Sequence, residues 1–133
     1  MGELIAFVTV KNALQAIEFY KDIFSAEIAQ EITMLEDVPG MEKHTGKVGH
    51  ATLKIGESKF FINDHLDEYP LEQGDFIQFV LDLETEDKLR TAFDQLKVDG
   101  EVVQELQEVF WGALFGSVKD KFGITWQIYY GHK

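Results

Sequence analysis

The order of apolar and polar residues predicts one strand, one helix and three more strands in the first half of this chain. The apolar run at 4–10 predicts the first strand. Beyond it, apolar residues recur at helical spacing, which predicts a helix that Asn12 caps, with Gln15 at the capping-box position, and that ends near Phe24 or Ser25. Three further strands are predicted at residues 27–35, 48–55 and 58–63. This first module spans about residues 1–66.

The same order of elements returns after a linker that contains Pro70 and Gly74. Alternation in 76–83 predicts a strand, and Thr85 then caps a helix that ends at Gly100. A strand at 101–110 follows. The aromatic stretch FWGALFGSVKDKFGITWQIYY at 110–130 predicts two strands that a turn at 120–123 joins. This second module spans about residues 75–131.

The two modules also have matching residues at nearly constant sequence offsets. Phe7-Val8 matches Phe79-Val80 at an offset of 72 (79 − 7), and EIAQE at 27–31 matches EVVQE at 101–105 at an offset of 74 (101 − 27). Such a repeat indicates an internal duplication. We therefore predict one α+β domain over residues 1–133, built from two tandem βαβββ modules. Their strands are expected to form a curved mixed sheet with the helices outside and a concave cleft inside.

Alternation along the predicted strands separates the side chains that face the helices from those that face the cleft. Residues of the helix-facing set are apolar: Ala51, Leu53, Ile55, Ile77, Phe79, Leu81, Leu83, Trp126 and Ile128. Residues of the cleft-facing set include polar groups from several strands: His50, Thr52, Lys54, Gln78, Gln127 and Tyr129. Polar groups that converge on a concave face are typical of a ligand site.

Charge and composition exclude several classes of function. The formal net charge of −12 at pH 7 repels phosphate backbones and anionic lipid surfaces, so neither nucleic acid nor membrane is an expected partner. The chain has no cysteine, which leaves no disulfide and no thiol nucleophile and is compatible with a cytoplasmic location. No apolar run approaches the ~20 residues that a membrane-spanning helix needs.

Three stretches carry a resemblance to a known family. They are AIEFYKDIF at 16–24, GHATLKIG at 49–56 and, above all, FWGALFGSVKDKFGITWQI at 110–128. With the duplicated module, they resemble the PhnB-like branch of the vicinal oxygen chelate superfamily, which includes glyoxalases, bleomycin-resistance proteins and extradiol dioxygenases. The resemblance covers essentially the whole chain. It implies a homodimer, because the superfamily usually builds its clefts by pairing modules within or between chains.

The resemblance also implies four metal-ligand positions, two in each module, which superfamily enzymes fill with His or Glu. Counted from the caps and turns, these positions fall at Ile5, Phe61, Gln78 and Gln127. Aliphatic and aromatic side chains do not coordinate metals, and amides are poor ligands for transition metals. We therefore expect no metal and no other cofactor at this set, with a divalent metal held elsewhere as the alternative.

Candidate site residues each have a structural explanation as well as a functional one. His50 is a possible general base or metal ligand, or simply a hydrogen-bonded histidine of the sheet. Gln78 and Gln127 either orient a polar ligand or are remnants of lost metal ligands. Trp111, Phe115 and Tyr129 either form an aromatic wall for a flat or cationic ligand or belong to core and dimer packing.

Three functions remain open at this point. The first is a protein that binds a small organic ligand in a metal-free cleft, through the polar His50, Gln78 and Gln127 and the apolar Phe61, Trp111 and Tyr129. The second is a divalent-metal-dependent lyase or dioxygenase that uses His50. The third is a drug-sequestering protein of the bleomycin-resistance type. Members of the branch are sometimes labelled ubiquinone-pathway methyltransferases, but the sequence has no glycine-rich nucleotide loop.

Overall fold

The computed structural model describes residues 2–109 and 112–131. The described α-helices are Ala13–Phe24 (α1) and Glu86–Leu96 (α2), and a short 3-10 helix covers Leu35–Asp37. The described strands are Ala6–Val10 (β1), Glu27–Ile28 (β2), Thr33–Met34 (β3), Val48–Ile55 (β4), Ser58–Asp64 (β5), Phe79–Asp82 (β6), Glu101–Glu108 (β7), Leu114–Lys119 (β8) and Thr125–Tyr130 (β9). The chain divides into two compact units, unit 1 up to Leu71 and unit 2 from Glu72 onward.

Unit 1 contains a mixed sheet in the order β1-β5-β4-β2, with β3 also paired to β4. Strand β1 runs parallel to β5, and the remaining pairs are antiparallel. Helix α1 connects β1 to β2 and buries an apolar face on this sheet. The buried residues of α1 are Ala13, Ala16, Ile17, Tyr20 and Phe24. The unit is therefore one βαβββ module whose second strand is interrupted.

Helix α1 begins and ends at the residues that the sequence predicts. The side chain of Asn12 accepts a hydrogen bond from the backbone N–H of Gln15 at 3.2 Å, which satisfies one free donor of the first turn. Ser25 adopts a left-handed conformation with φ 56°, and its N–H donates to the carbonyl of Tyr20. A left-handed residue at this point closes the helix by satisfying its last carbonyls.

The strand predicted at 27–35 is two short pieces rather than one. Glu27 and Ile28 pair with Lys54 and Leu53, whereas Thr33 and Met34 pair further along β4 with a shift in register. After Met34 the chain turns into the 3-10 helix, and Leu35 N donates to the carbonyl of Lys47 at 2.8 Å. Between the two pieces the chain advances five residues, from Ile28 to Thr33, while β4 advances three, from Leu53 to His50, so the segment has two residues more than continuous pairing can hold.

Unit 2 has the same topology as unit 1 in its own sheet, with the order β6-β9-β8-β7. Strand β6 is parallel to β9, and the other pairs are antiparallel. The side chain of Thr85 caps α2 by accepting from Lys88 N at 3.1 Å. The buried face of α2 consists of Leu89, Ala92, Phe93 and Leu96, as predicted. Two mixed sheets with one helix each confirm the predicted α+β class.

The first strand of unit 2 is shorter than predicted. Residues 76–83 alternate like a strand, but pairing begins only where Phe79 meets Trp126 of β9, and Asp82 is its last residue. The prediction that Ile77 faces the helices is wrong, since its side chain is 82% exposed. Extended backward, the parallel register places Ile77 beside Ile124, which lies before the start of β9 at Thr125, so Ile77 has no opposite residue on β9. Trp126 and Ile128 are buried, as the alternation predicts.

A buried carboxylate organises each unit. In unit 1, the carboxylate of Asp64 accepts from Ala13 N at 2.8 Å and from Val48 N at 2.7 Å, so it joins the start of α1 to the start of β4. In unit 2, Asp120 lies in the turn between β8 and β9 and accepts from two backbone N–H groups that follow it and from the indole N–H of Trp126 in β9. Both carboxylates are at most 4% exposed. Hydrogen bonds to a charged acceptor are among the stronger ones in proteins.

In the described part of the chain, neither helix has the length and apolar composition that crossing a membrane would require.

Candidate functional site

The pairing in unit 2 places several predicted site residues on one face of its sheet. Residues directly opposite each other on neighbouring strands project to the same side, as do residues two apart on one strand. Gln127 of β9 lies opposite Val80 of β6 and Ser117 of β8, while Tyr129 lies opposite Asp82 and Phe115. The other face carries the buried Trp126 and Ile128. We refer to the face with Gln127 and Tyr129 as the polar face of unit 2.

Gln78 and Gln127, which are 49 residues apart in sequence, are hydrogen-bonded in the structure. The Nε2 of Gln127 donates to the Oε1 of Gln78 at 2.7 Å, and the Nε2 of Gln78 donates to the backbone carbonyl of Asp75 at 3.3 Å. Each amide of the pair thus has a defined orientation. Although Gln78 precedes β6, the structure brings both predicted amides together in unit 2.

The amide of Gln127 retains hydrogen-bonding capacity on the polar face. A glutamine side chain has two N–H donors and a carbonyl oxygen with two lone pairs. Within the described residues, Gln127 uses one N–H, toward Gln78, and its Oε1 accepts from no neighbour. Gln127 is half-buried, so the remaining donor and acceptor are partly shielded from water. A group of this kind suits a ligand that carries both a donor and an acceptor.

Aromatic and charged side chains lie next to this position on the same face, two residues further along β9. Tyr129 is half-buried and lies two residues beyond Gln127, opposite the half-buried Phe115. Asp82 lies opposite Tyr129 on the other side and is exposed. A carboxylate in this position disfavours anionic ligands, and the formal net charge of −12 acts in the same direction.

Unit 1 brings together the other predicted residues, His50 and Phe61, in an aromatic cluster. The ring centroids of His50 and Phe61 are 4.5 Å apart in an edge-to-face arrangement, and Phe7 lies 5.8 Å from each of them. Phe7 and Phe61 are directly opposite each other on β1 and β5. The sequence predicts no place for Phe7 in the site, although Phe7 lies two residues after the predicted position Ile5 and residues two apart in an extended chain project to the same side.

The imidazole of His50 has one polar partner among the described side chains. Its Nε2 lies 3.3 Å from the Oγ1 of Thr52, which is two residues along β4 on the same face and is buried. Thr52 lies opposite Phe61 in the register of β4 and β5. Packing against two phenylalanines and contact with one hydroxyl hold the ring in place. This arrangement matches the structural explanation of His50 as a hydrogen-bonded histidine of the sheet.

The strand register shows that the four positions at which superfamily enzymes hold a metal are related in the same way in the two units. Gln78 lies two residues before Val80, and Val80 is opposite Gln127; likewise Ile5 lies two residues before Phe7, which is opposite Phe61. None of Ile5, Phe61, Gln78 and Gln127 carries a carboxylate or imidazole. In the described ranges, no group of three or more His, Asp or Glu side chains is arranged to hold a metal ion.

Trp111, the remaining predicted wall residue, lies outside the described residues. His65 follows Asp64, and its Nε2 contacts the carbonyl oxygen of Tyr69 at 2.6 Å. Asp64 itself is occupied by two backbone N–H groups. Asp64 and the Nε2 of His65 are therefore both engaged with backbone groups of unit 1.

Comparison with known proteins identifies the family. The family model described as 3-demethylubiquinone-9 3-methyltransferase matches residues 3–129. The chain belongs to this family. Protein YjdN of Escherichia coli (strain K12) is 29% identical to the chain, over 88% of the chain and 86% of YjdN. The match covers both units.

Solved structures agree with this assignment. A PhnB protein from Bacillus cereus has a TM-score of 0.82 and 27% identity, covering 98% of this chain and all of that one. A glyoxalase/bleomycin resistance protein/dioxygenase family enzyme from Burkholderia phytofirmans PsJN shares the fold, with a TM-score of 0.68, 11% identity and coverage of 96% and 97%. The PhnB-like resemblance and the glyoxalase/bleomycin-resistance fold that the sequence predicts are confirmed.

Proposed function

We propose that this PhnB-like protein binds a small, neutral organic molecule on the polar face of unit 2, without a metal, and that Gln127 is the principal hydrogen-bonding residue. The observation that carries the proposal is the Gln78–Gln127 hydrogen bond of 2.7 Å. It holds a half-buried amide in one orientation and leaves a donor and an acceptor of that amide to a ligand. Binding sites typically combine a few oriented polar groups with apolar walls.

The chemistry of the face points to a planar molecule with an amide-type group. A primary amide or a lactam offers a donor next to an acceptor, which complements the groups that Gln127 retains. Tyr129 and Phe115 lie opposite each other two residues beyond this position on the same face and supply apolar contact for an attached ring. Since Asp82 lies on this face as well, a neutral or cationic ligand is favoured over an anion.

Methyl transfer, which the family's description names, is not part of the proposal. Nucleotide-type cofactors commonly bind at a glycine-rich turn after the first strand of a parallel, doubly wound sheet. The segments after β1 and β6 are KN and LET, without glycine, and both sheets are mixed. A metal-dependent lyase or dioxygenase centred on His50 is likewise not favoured, because the ring is packed between Phe7 and Phe61.

We expect benzamide, as a probe, to bind wild-type protein saturably and Gln127→Leu at least tenfold more weakly. Leucine keeps much of the side-chain volume but removes the donor and the acceptor, and a lost hydrogen bond of this kind corresponds to about 1.4 kcal/mol. Chemical-shift titration of the backbone amides of β8 and β9 measures the affinity. Gln78→Ala is expected to weaken binding too, because the Gln127 amide loses its orienting partner.

Two controls sharpen this test. Methyl benzoate has the ring and carbonyl of benzamide but no N–H, so its affinity for wild type should be lower, and Gln127→Leu should weaken it less than it weakens benzamide because only one hydrogen bond is lost. Repeating the titration after chelation, and again with Mn(II), should leave the benzamide affinity unchanged. Equal affinity of wild type and Gln127→Leu would place the site elsewhere, and a requirement for Mn(II) would favour the metal-dependent alternative. Saturable binding of bleomycin with no response to benzamide would favour drug sequestration.

We further propose that the chain forms a homodimer in solution. On β6, one edge pairs with β9, and no described strand pairs with the other edge. Val80 of β6 is 61% exposed and Ile77 just before it is 82% exposed, and an open strand edge with apolar side chains is a common association surface. Light scattering should give twice the 15.2 kDa chain mass at micromolar concentration. The mass of a single chain would contradict the proposal.

A further inference from the structure

Residues 72–78 cross from the end of the linker to the start of β6 and are tied to the polar face of unit 2. Gly74 lies within this segment. Three polar contacts link the segment to the sheet, and all three involve Asp75 or Gln78. We call residues 72–78 the strap. Sequence reasoning treated most of it as a linker and the rest as part of a strand.

Asp75 attaches the strap to the sheet by its carboxylate. The Oδ1 of Asp75 lies 3.2 Å from the Nζ of Lys119 at the end of β8, and it accepts from the Oγ1 of Thr125 at 3.4 Å at the start of β9. Lys119 and Thr125 are directly opposite each other in the register of the two strands. The carboxylate therefore sits over a pair of residues that the sheet itself holds in place.

Asp75 also orients Gln78 through its backbone. Its carbonyl accepts from the Nε2 of Gln78 at 3.3 Å, which leaves the Oε1 of Gln78 directed at the Nε2 of Gln127, 2.7 Å away. The contacts form a continuous series from Lys119 and Thr125, through Asp75 and Gln78, to Gln127. Side chains that fix the orientation of a binding group in this way commonly determine its affinity.

We propose that Asp75 is the positioning residue for the Gln78–Gln127 pair. Its ion pair with Lys119 and its contact with Thr125 hold the strap where Gln78 fixes the Gln127 amide. Asp75 does not need to touch the ligand to act in this way. The proposal rests on the function proposed above, because it gives the strap a purpose only if Gln127 binds the ligand.

The side-chain NH₂ resonances of Gln78 and Gln127 test the proposal without any ligand. Gln78→Leu and Gln127→Leu assign them and give the reference shift of an unpaired Gln127 amide. In Asp75→Ala, we expect the Gln127 resonances to move at least halfway toward their positions in Gln78→Leu. Lys119→Met should move them in the same direction, because it releases the same carboxylate from the sheet.

Glu72→Ala is the matched control. It removes a carboxylate from the same strap, but Glu72 has no ion pair or hydrogen bond among the described residues. Its Gln127 resonances should stay at their wild-type positions. Because an ion pair at the surface contributes little to stability, Asp75→Ala, Lys119→Met and Glu72→Ala should all melt within a few degrees of wild type. A shift of the Gln127 resonances in these variants then reports positioning and not unfolding.

The outcomes distinguish this proposal from the proposed function. Unmoved Gln127 resonances in both Asp75→Ala and Lys119→Met would overturn the positioning role, whatever benzamide does. Moved resonances together with an approximately fivefold loss of benzamide affinity in Asp75→Ala would support both proposals. Moved resonances in a protein that does not bind benzamide in its wild-type form would support the positioning role and refute the proposed amide-type ligand.

Discussion

Replacing Asp120 with alanine is expected to destabilise the protein by about 4 kcal/mol. Its Oδ1 accepts from Phe122 N at 2.9 Å and from Ile124 N at 3.0 Å, and its Oδ2 accepts from the indole Nε1 of Trp126 at 2.9 Å. The carboxylate is 3% exposed, so water does not replace these bonds in the variant. Chemical denaturation with linear extrapolation measures the change in the free energy of unfolding.

Two companion variants divide this effect into its parts. Trp126→Phe removes the indole N–H together with part of the buried ring volume and should cost about 1–2 kcal/mol. Asp120→Asn keeps one oxygen for the backbone donors but presents an N–H group toward the indole, so its cost should lie between those of the other two. Asp94, which lies on the exposed side of α2, provides the surface control as Asp94→Ala. A loss below about 1 kcal/mol for Asp120→Ala would refute the anchoring role.

Replacing Asp64 with alanine is expected to lower the free energy of unfolding by about 3 kcal/mol. The change leaves the N–H groups of Ala13 and Val48 without their buried acceptor, and these two groups belong to elements 35 residues apart (48 − 13). For a chain of this size, such a loss corresponds to a decrease in melting temperature on the order of 10 °C. Calorimetry or circular dichroism at increasing temperature measures the decrease.

The neighbouring Asp67 supplies the control for Asp64. It is an exposed carboxylate three residues away with no ion pair among the described side chains, so Asp67→Ala should leave the melting temperature nearly unchanged. Hydrogen exchange adds a local measurement, because Asp64→Ala should accelerate exchange at the start of α1 and at Val48 before other sites. Similar melting temperatures for the two variants would show that Asp64 does not join α1 to β4.

Elements whose cause is local were predictable from the sequence. Helix α1 begins after Asn12 because that side chain caps it, and its buried face follows the spacing of five apolar residues. The turn at 120–123 was predictable because it begins with aspartate and ends with glycine. Gly123 adopts φ 93° in the structure, which glycine accommodates without strain. The duplication was visible as shared letters, and the same strand order in both sheets agrees with it.

Other features depend on residues far away in sequence, and the sequence predicts these features wrongly or not at all. Ile77 has the alternation of a strand residue, but its exposure depends on where β9 begins, about 50 residues later. The segment at 27–35 contains strand-forming residues, but its division depends on how β4 is shared. The sequence predicts Asp64 as a linker residue and Asp120 as a turn residue, and it does not predict that either is buried. Their burial depends on the N–H groups that they bind, which belong to Ala13 and Val48 for Asp64 and to the indole of Trp126 for Asp120.

The sequence by itself determined the fold class, the family and the identity of the amides at two of the four metal-ligand positions. The fold class follows from periodicity, capping and the internal repeat, whose signals act over a few residues, whereas the family and the four positions follow from the resemblance of three stretches to a known family. Only the tertiary structure decided that Gln78 and Gln127 are hydrogen-bonded and that Asp75 holds the strap over Lys119 and Thr125. Such contacts depend on strand register and on the path of a connecting segment. Register is set by the packing of the whole sheet and not by the residues that it brings together.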